Sequence, residues 1–178
     1  GKEVSKIHSQ DIIHGDLTTS NMILVDENTD KKVEQSHNKK TEQDVKNYIG
    51  GVPTAAFANG TFALVLALQG AGIKGKVIVP SFTFCATAHA VVLAGLEPVF
   101  VDINPETYTL DPIKVKEAIT PEVKAILAVH VFGNPCAIDE LTKIAEENNL
   151  SLFFDSAHAF GATYKGRKIG NFGKAEIF

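Results

Sequence analysis

Four short apolar segments, rich in valine, isoleucine and phenylalanine, recur between residues 76 and 155 and limit what this chain can fold into. Uninterrupted apolar runs of this length are typical of strands that are buried on both faces of a parallel sheet. A further short strand is expected at about residues 54–58, just before the sequence Asn-Gly-Thr. The four main segments are KVIVP (76–80), PVFVD (98–102), AILAVHV (125–131) and SLFFD (151–155).

The segments between these strands carry apolar residues at spacings of three and four, which predicts helices. Asp111 and Pro112 are typical of a helix N-cap followed by a first turn. The alternation predicts an α/β fold with a mostly parallel sheet and helices on both faces, in which ligands bind at the carboxyl ends of the strands. The predicted helices cover residues 61–72, 83–95, 111–119 and 136–148.

The composition and charge of the chain argue against several classes of partner. The 178 residues are 44% hydrophobic, which is enough for one core, and the net charge of −4 comes without a basic stripe, so no nucleic-acid partner is expected. The apolar stretches are too short to span a bilayer, so we expect a cytoplasmic chain without a membrane partner. Cys85 and Cys136 lack the spacing of a metal site, so reduced thiols and no metal are expected.

Residues 26–45 form a long polar stretch, DENTDKKVEQSHNKKTEQDV, with only two valines to bury. This composition is typical of a linker. It predicts a boundary between a head, residues 1–25, and an α/β body, residues 46–178.

A candidate phosphate site lies at Gly60 and Thr61, between the predicted strand at 54–58 and a helix. Backbone N–H groups and the positive end of the helix dipole favour an anion there, and glycine permits close approach. Taken alone, Asn-Gly-Thr is more often an ordinary turn followed by a helix cap.

Two further candidates follow later strands. Phe82 and Phe84 come after the first main strand, where a ring could lie flat on a planar ligand, although a core phenylalanine is commoner. Asp155 ends the last strand and is followed at a short distance by His158. Its carboxylate could pair with a protonated ring nitrogen, whereas a helix cap at Asp155 or Ser156 beside a structural histidine is an equally good interpretation of the isolated motif.

The four stretches of the body together resemble the DegT/StrS family of pyridoxal-phosphate enzymes of fold type I over about three-quarters of the chain. The resemblance implies that Gly60 and Thr61 bind the cofactor phosphate, Phe84 stacks on the pyridine ring, Asp155 pairs with its nitrogen and His158 packs beside it. The stretches are NGTFAL, VIVPSFTFCATAHAVVLAGLEPVFVDINPETYTLDP, AITPEVKAILAVHVFGNPCAIDEL and FFDSAHAFGATYKGRKIGNFGKAEIF.

The same resemblance implies the large domain of a homodimeric aminotransferase. Such an enzyme moves an amino group from glutamate or glutamine onto a keto-sugar nucleotide. His130 is expected at a strand end lining the same cleft, with a structural role favoured.

The sequence departs from the family in one respect. The family's phosphate-contacting serine and its cofactor-binding lysine follow a strand that here reads AEIF, at the last residues of this chain. Lys165 and Lys168 fall in a loop of the family pattern and are not expected to replace that lysine. We therefore expect a fragment with little or no transaminase turnover by itself. A sugar dehydratase of the same family and a non-catalytic α/β binding module remain alternatives.

The head carries a different motif, His14-x-Asp16-Leu17-x-x-x-Asn21, with the spacing of a protein-kinase catalytic loop. The string HGDLTTSNM resembles the small atypical kinase of the KEOPS tRNA-modification complex (PRPK-type). The Gly-rich loop, strand lysine and DFG motif of a kinase are absent from the sequence. Asp16 and Asn21 are therefore interpreted as vestigial, and an ATP-dependent kinase-like protein is the weakest alternative.

Overall fold

The computed structural model describes residues 21–25 and 39–178, and within this part of the chain a seven-stranded sheet organises the fold. Five neighbouring strands are parallel, in the order β9-β6-β5-β3-β4, while β1 is antiparallel to both of its neighbours, β9 and β2. A small hairpin, β7 (Thr163–Tyr164) with β8 (Arg167–Lys168), lies apart from it. The sheet strands are β1 (Asn21–Val25), β2 (Thr54–Phe57), β3 (Lys76–Pro80), β4 (Glu97–Val101), β5 (Val123–Val129), β6 (Ser151–Asp155) and β9 (Ala175–Ile177).

The connections between the strands are mostly helical. Asp111 caps one of these helices, because its side chain accepts a hydrogen bond from the Ile113 N–H at 2.8 Å and Pro112 occupies the first turn, as the sequence predicts. The helices are α1 (Lys39–Ile49), α2 (Gly60–Gly70), α3 (Cys85–Leu93), α4 (Pro112–Ala118) and α5 (Ile138–Glu147), and a 3-10 turn covers Val131–Gly133.

The core has two layers, one on each face of the sheet. Alternate strand residues point to opposite faces, so Leu127 and Phe153 pack with α2 and α3, whereas Ile126 and Phe154 pack with α1, α4 and α5. This two-sided burial explains why the strands read as continuous apolar runs. It confirms the predicted α/β fold with a mostly parallel sheet.

The predicted strands and helices of the body agree with the structure to within two residues at each end. The register brings strand ends together: Val129 of β5 is opposite Asp155 of β6, and Asp155 is opposite Ile177 of β9. The carboxyl ends of these parallel strands therefore meet at one edge of the sheet, where ligands are expected.

The amino-terminal boundaries differ from the prediction. Residues 39–45, assigned to a polar linker over 26–45, belong to helix α1, whose Val45 and Ile49 are buried against the sheet. Asn21, assigned to the head, begins strand β1 and is paired with Phe57 of β2. Charged residues mask this helix in the sequence because only one of its faces is buried. Asp16 lies outside the described residues.

No helix in the described part of the chain is both long and apolar enough to cross a bilayer.

Candidate functional site

A cleft of about 440 Å³ opens at the carboxyl ends of the central strands, on the face that α2 and α3 cover. It brings together all five residues predicted for the cofactor site: Gly60, Thr61, Phe84, Asp155 and His158. Its other lining residues are Asn59, Leu64, Phe82, Thr83, Ala86, Val129, Val131, Phe132, Ala157 and Ile177.

The amino terminus of α2 forms one end of the cleft. Asn59 has an extended backbone and its side chain accepts a hydrogen bond from the Phe62 N–H at 2.8 Å, which makes it the helix cap. Gly60 and Thr61 are the first two helical residues, so their N–H groups belong to the end of the helix that favours anions. The cap and the anion site are thus the same local structure, not competing interpretations.

Phe84 immediately precedes α3 and its side chain is 73% exposed. An aromatic ring that a folded chain leaves in solvent beside a cleft contributes little to the core, so the core interpretation of Phe84 is wrong. Phe82, at 44% exposure, lines the same cleft. Both rings are available to a planar ligand.

Asp155 lies at the floor of the cleft and is only 8% exposed. Its Oδ2 accepts a 2.8 Å hydrogen bond from the Thr87 hydroxyl of α3, and its Oδ1 accepts one at 3.3 Å from the Ala157 N–H. No helix begins at Asp155 or Ser156, so the helix-cap interpretation of this motif is wrong. Asp155 is a buried carboxyl group held by a side chain of a different element.

Burial raises the pKa of Asp155 above its ordinary value. The hydrogen bonds from Thr87 and Ala157 and the nearby imidazoles of His158 and His130 act in the opposite direction. A positive charge placed in the cleft would favour the ionised form further. Perturbed carboxyl groups of this kind are common at functional sites.

An exposed group of aromatic side chains extends the cleft. The ring of His158 is parallel to that of Phe132, with centroids 6.3 Å apart, and Phe132 also contacts Phe82 and Tyr108 at 6.2 and 6.4 Å. Gly133 has φ +80°, and a Cβ there would be 2.9 Å from the backbone oxygen of His158. Glycine therefore lets the segment that carries Phe132 lie directly against the His158 segment.

His130 does not line this cleft, contrary to expectation. Its side chain leaves the opposite face of the sheet, where it is fully buried and stacked on Phe154 at 4.8 Å. Its Nδ1 accepts a hydrogen bond from the Cys136 N–H at 3.0 Å, so the proton lies on Nε2, which is 3.4 Å from Glu176 Oε1. The structural role favoured for His130 is confirmed, and the alternation of side chains explains its absence from the cleft.

Lys165 and Lys168, which the sequence analysis did not expect to replace the cofactor-binding lysine, do not line the cleft either. Lys165 pairs with Asp139 on the surface, and the Lys168 Nζ lies 3.2 Å from the centroid of the Tyr48 ring. Of the cysteines, Cys85 is exposed and Cys136 is buried, and burial raises the pKa of the Cys136 thiol well above its usual value. Within the described residues no cluster of histidine, cysteine and acidic side chains could hold a metal ion.

Thr83 and Thr87 are the residues that sequence reasoning missed. Thr87 is fully buried although it is polar, and its hydroxyl lies within 2.8 Å of both the Thr83 hydroxyl and the Asp155 carboxylate. The only signal in the sequence was a threonine on the buried face of α3. Its partner is 68 residues away and could not be read from local spacing.

Comparison with known proteins shows which family the chain belongs to. Residues 21–178 match the model of the DegT/DnrJ/EryC1/StrS aminotransferase family, which is most of the chain. The chain belongs to this family. The match begins at Asn21, and these comparisons do not support the kinase-like interpretation of residues 1–25. A short motif with the right spacing is insufficient without the rest of an ATP site.

Relatives of the family's sugar-modifying branch are similar over most of the chain. The dTDP-4-amino-4,6-dideoxy-D-glucose transaminase of Escherichia coli is 42% identical over 131 residues, which is 74% of this chain and 35% of the relative. The GDP-perosamine synthase of Caulobacter vibrioides is 42% identical over 139 residues, or 77% of this chain and 38% of the relative. The chain thus spans little more than a third of the length of these relatives.

Solved structures of the family share the fold. DesI, crystallised in the presence of its TDP-sugar product, superposes with a TM-score of 0.75 and 37% identity, covering 98% of this chain and 40% of that one. NtdA from Bacillus subtilis, with bound cofactor PMP, gives a TM-score of 0.68 and 35% identity over 70% of this chain and 29% of that one.

Proposed function

We propose that this chain forms the cofactor-binding part of a pyridoxal-phosphate-dependent aminotransferase that acts on sugar nucleotides. The observation that carries the proposal is the cleft itself. Residues up to 98 positions apart in the sequence, from Gly60 and Thr61 through Phe84 to Asp155 and His158, line a single cavity of about 440 Å³. They are the residues that the family resemblance assigns to the phosphate, the ring face and the ring nitrogen.

The phosphate end of such a cofactor fits the amino terminus of α2. Phosphate is a dianion near neutral pH, and the first N–H groups of a helix together with its dipole favour an anion. Asn59 caps the helix through Phe62 and leaves the start of α2 facing the cleft. The hydroxyl of Thr61 adds a donor at this end.

The ring fits the other end. Phe84 offers an exposed ring face, and Asp155 offers a carboxylate at the floor that is already hydrogen-bonded on both oxygens within the protein. A pyridinium N–H would meet that carboxylate in a poorly hydrated site, where a charge-assisted hydrogen bond is strong. His158 lies beside the same ring position and is held parallel to Phe132.

The chemistry that pyridoxal phosphate supplies when bound is the storage of electrons from the bond that is broken at the amino acid or amino sugar. The residues of the chain bind and orient the cofactor for this chemistry. Asp155 holds a proton at the ring nitrogen, the start of α2 anchors the phosphate, and Phe84 fixes the plane of the ring. His158 and Phe132 restrict water on the open side of the cleft.

We infer the class of substrate from the names of the relatives. Their names describe transamination of, or synthesis of, nucleotide-linked amino sugars. We propose a keto-sugar nucleotide as amino acceptor and glutamate or glutamine as donor for the whole protein to which this chain corresponds.

A homodimer is proposed for the same protein. Several large apolar side chains are exposed on the described surface. A second copy would cover part of this surface. The exposed side chains outside the cleft are Phe62, Val92, Leu93, Phe100, Tyr108 and Ile113.

The covalent step needs a lysine that faces the cofactor, and among the described residues none of those lining the cleft is a lysine. Lys165 and Lys168 are engaged elsewhere. We therefore propose that the 178-residue chain binds the cofactor but gives little or no amination of a keto-sugar by itself.

A titration with pyridoxamine 5'-phosphate, followed by ligand fluorescence, tests the proposal because this form of the cofactor needs no lysine. The chain should show saturable binding with one site, and Asp155→Asn should weaken it about tenfold or more. Glu97→Gln is the matched control, since Glu97 is exposed, lies outside the cleft and forms a surface ion pair with Lys76 at 3.1 Å. Absence of saturable binding, or equal affinity in Asp155→Asn, would refute the proposed site.

A further inference from the structure

Thr87 is a buried polar residue of α3 whose hydroxyl joins the helix to the floor of the cleft. Its side chain is fully buried, and its Oγ1 lies 2.8 Å from Asp155 Oδ2 and 2.8 Å from Thr83 Oγ1. A buried hydroxyl is costly unless it is hydrogen-bonded, and a valine of the same shape would fill the space without that requirement. The position of Thr87 thus needs an explanation beyond packing.

Proton counting fixes the direction of the hydrogen bonds when Asp155 is ionised. An ionised carboxylate only accepts, so the single hydroxyl proton of Thr87 then points to Asp155. The Thr87 oxygen must then accept from Thr83, whose own proton points inward. The two hydroxyls form a chain directed at one carboxylate oxygen, and hydrogen bonds in such a chain strengthen one another.

The other ionisable groups around Asp155 do not replace this chain. Helix α2 carries no ionisable side chain, and the ionisable residues of α3, Cys85 and His89, are exposed. His158 lies on the open side of the cleft, and His130 with Glu176 lies on the other face of the sheet. Besides the Ala157 N–H, which donates to Oδ1, the hydroxyl of Thr87 is therefore the described side-chain group that hydrogen-bonds the carboxylate directly.

We propose that Thr87, supported by Thr83, is a positioning residue that favours the ionised form of the Asp155 carboxyl group and keeps it aimed into the cleft. The inference rests on the proposed function for the identity of the ligand, a protonated pyridine nitrogen. The hydroxyl chain opposes the effect of burial, which favours the neutral acid. It also fixes the carboxylate rotamer, so that no reorientation is needed when the ring enters.

The first test uses the unliganded chain and follows the Asp155 carboxyl carbon by ¹³C NMR across pH. Thr87→Val should move the titration of Asp155 upward by about one pH unit, because one hydrogen bond to the ionised form is lost. Thr87→Ser keeps the hydroxyl and should titrate as the unmodified chain. Thr83→Val leaves the buried position intact and should give a smaller upward change. An unchanged titration in both valine variants would overturn the inference.

The second test measures the affinity for pyridoxamine 5'-phosphate against pH. Thr87→Val should bind about tenfold more weakly, with its loss of affinity toward acid beginning at a higher pH, and Thr87→Ser should restore both. If the unmodified chain binds through Asp155 but Thr87→Val behaves identically, the inference fails and the proposed function stands. If the valine variants shift the Asp155 titration but no form of the chain binds the ligand, the proposed function fails while the action of Thr87 on Asp155 is supported.

Discussion

His130 and Asp155 are neighbours in the sheet whose side chains point to opposite faces. The His130 N–H donates to the Asp155 backbone oxygen at 3.0 Å. Asp155 nevertheless lines the cleft with Thr87, whereas His130 is buried with Glu176 and stacked on Phe154. One backbone hydrogen bond thus joins a residue that lines the cleft to a residue buried on the opposite face of the sheet.

This arrangement predicts that a substitution of His130 lowers the stability of the fold but has little effect on ligand binding in the cleft. His130→Ala should lower the free energy of unfolding by about 3 kcal/mol, because it leaves a cavity and removes the His130 partner of both Glu176 Oε1 and the buried Cys136 N–H. The affinity of the folded protein for pyridoxamine 5'-phosphate should stay within about threefold. Urea unfolding and ligand titration measure the two effects, and a large loss of affinity with unchanged stability would contradict the assignment of His130.

The raised pKa of Asp155 predicts that the free energy of unfolding of the unliganded chain depends on pH. Burial raises its pKa in the folded state, so folding takes up a proton between the unfolded and folded pKa values. The stability contributed by this group is present at low pH and is lost as pH rises through the raised pKa. The margin by which the free energy of unfolding of Asp155→Asn exceeds that of the unmodified chain should therefore grow as the pH rises above the ordinary Asp pKa of about 3.9.

Urea unfolding at several pH values measures that margin, with Glu97→Gln as an exposed control that should show little change. A margin that is constant, or that shrinks toward neutral pH, would show that burial does not favour the neutral form of Asp155.

Asn59 allows the cap and the phosphate site to be separated. Asn59→Asp keeps a side-chain acceptor for the Phe62 N–H, so stability should change by less than about 0.5 kcal/mol. The added negative charge should nevertheless repel a phosphate at Gly60 and Thr61. We expect weaker binding of pyridoxamine 5'-phosphate but unchanged binding of pyridoxamine, which lacks the phosphate. Equal effects on both ligands would place the phosphate elsewhere.

Covalent attachment of pyridoxal 5'-phosphate should not depend on the cleft, since none of its described lining residues is a lysine. Reduction with borohydride and peptide mass spectrometry should find only lysines whose labelling is the same in the unmodified chain and in Asp155→Asn. One lysine labelled in proportion to occupancy of the cleft, and lost in Asp155→Asn, would contradict this expectation.

The sequence predicted the sheet and helices of the body well because the central strands β3, β5 and β6 are buried on both faces and the helices between them carry apolar residues at helical spacing. It failed at α1, where a single buried face of Val45 and Ile49 is surrounded by polar residues. The five residues proposed for the cofactor site could be named because the family resemblance selected them among residues that follow a strand or start a helix. Thr87 and Glu176 could not, since their partners are 68 and 46 residues away.

The most direct test of the central claim is a crystal structure of this chain with pyridoxamine 5'-phosphate bound. The account predicts the phosphate at the start of α2 beside Gly60 and Thr61, the ring on Phe84, and its nitrogen about 3 Å from the Asp155 carboxylate. A ligand found outside this cleft, or one whose ring nitrogen points away from Asp155, would contradict it.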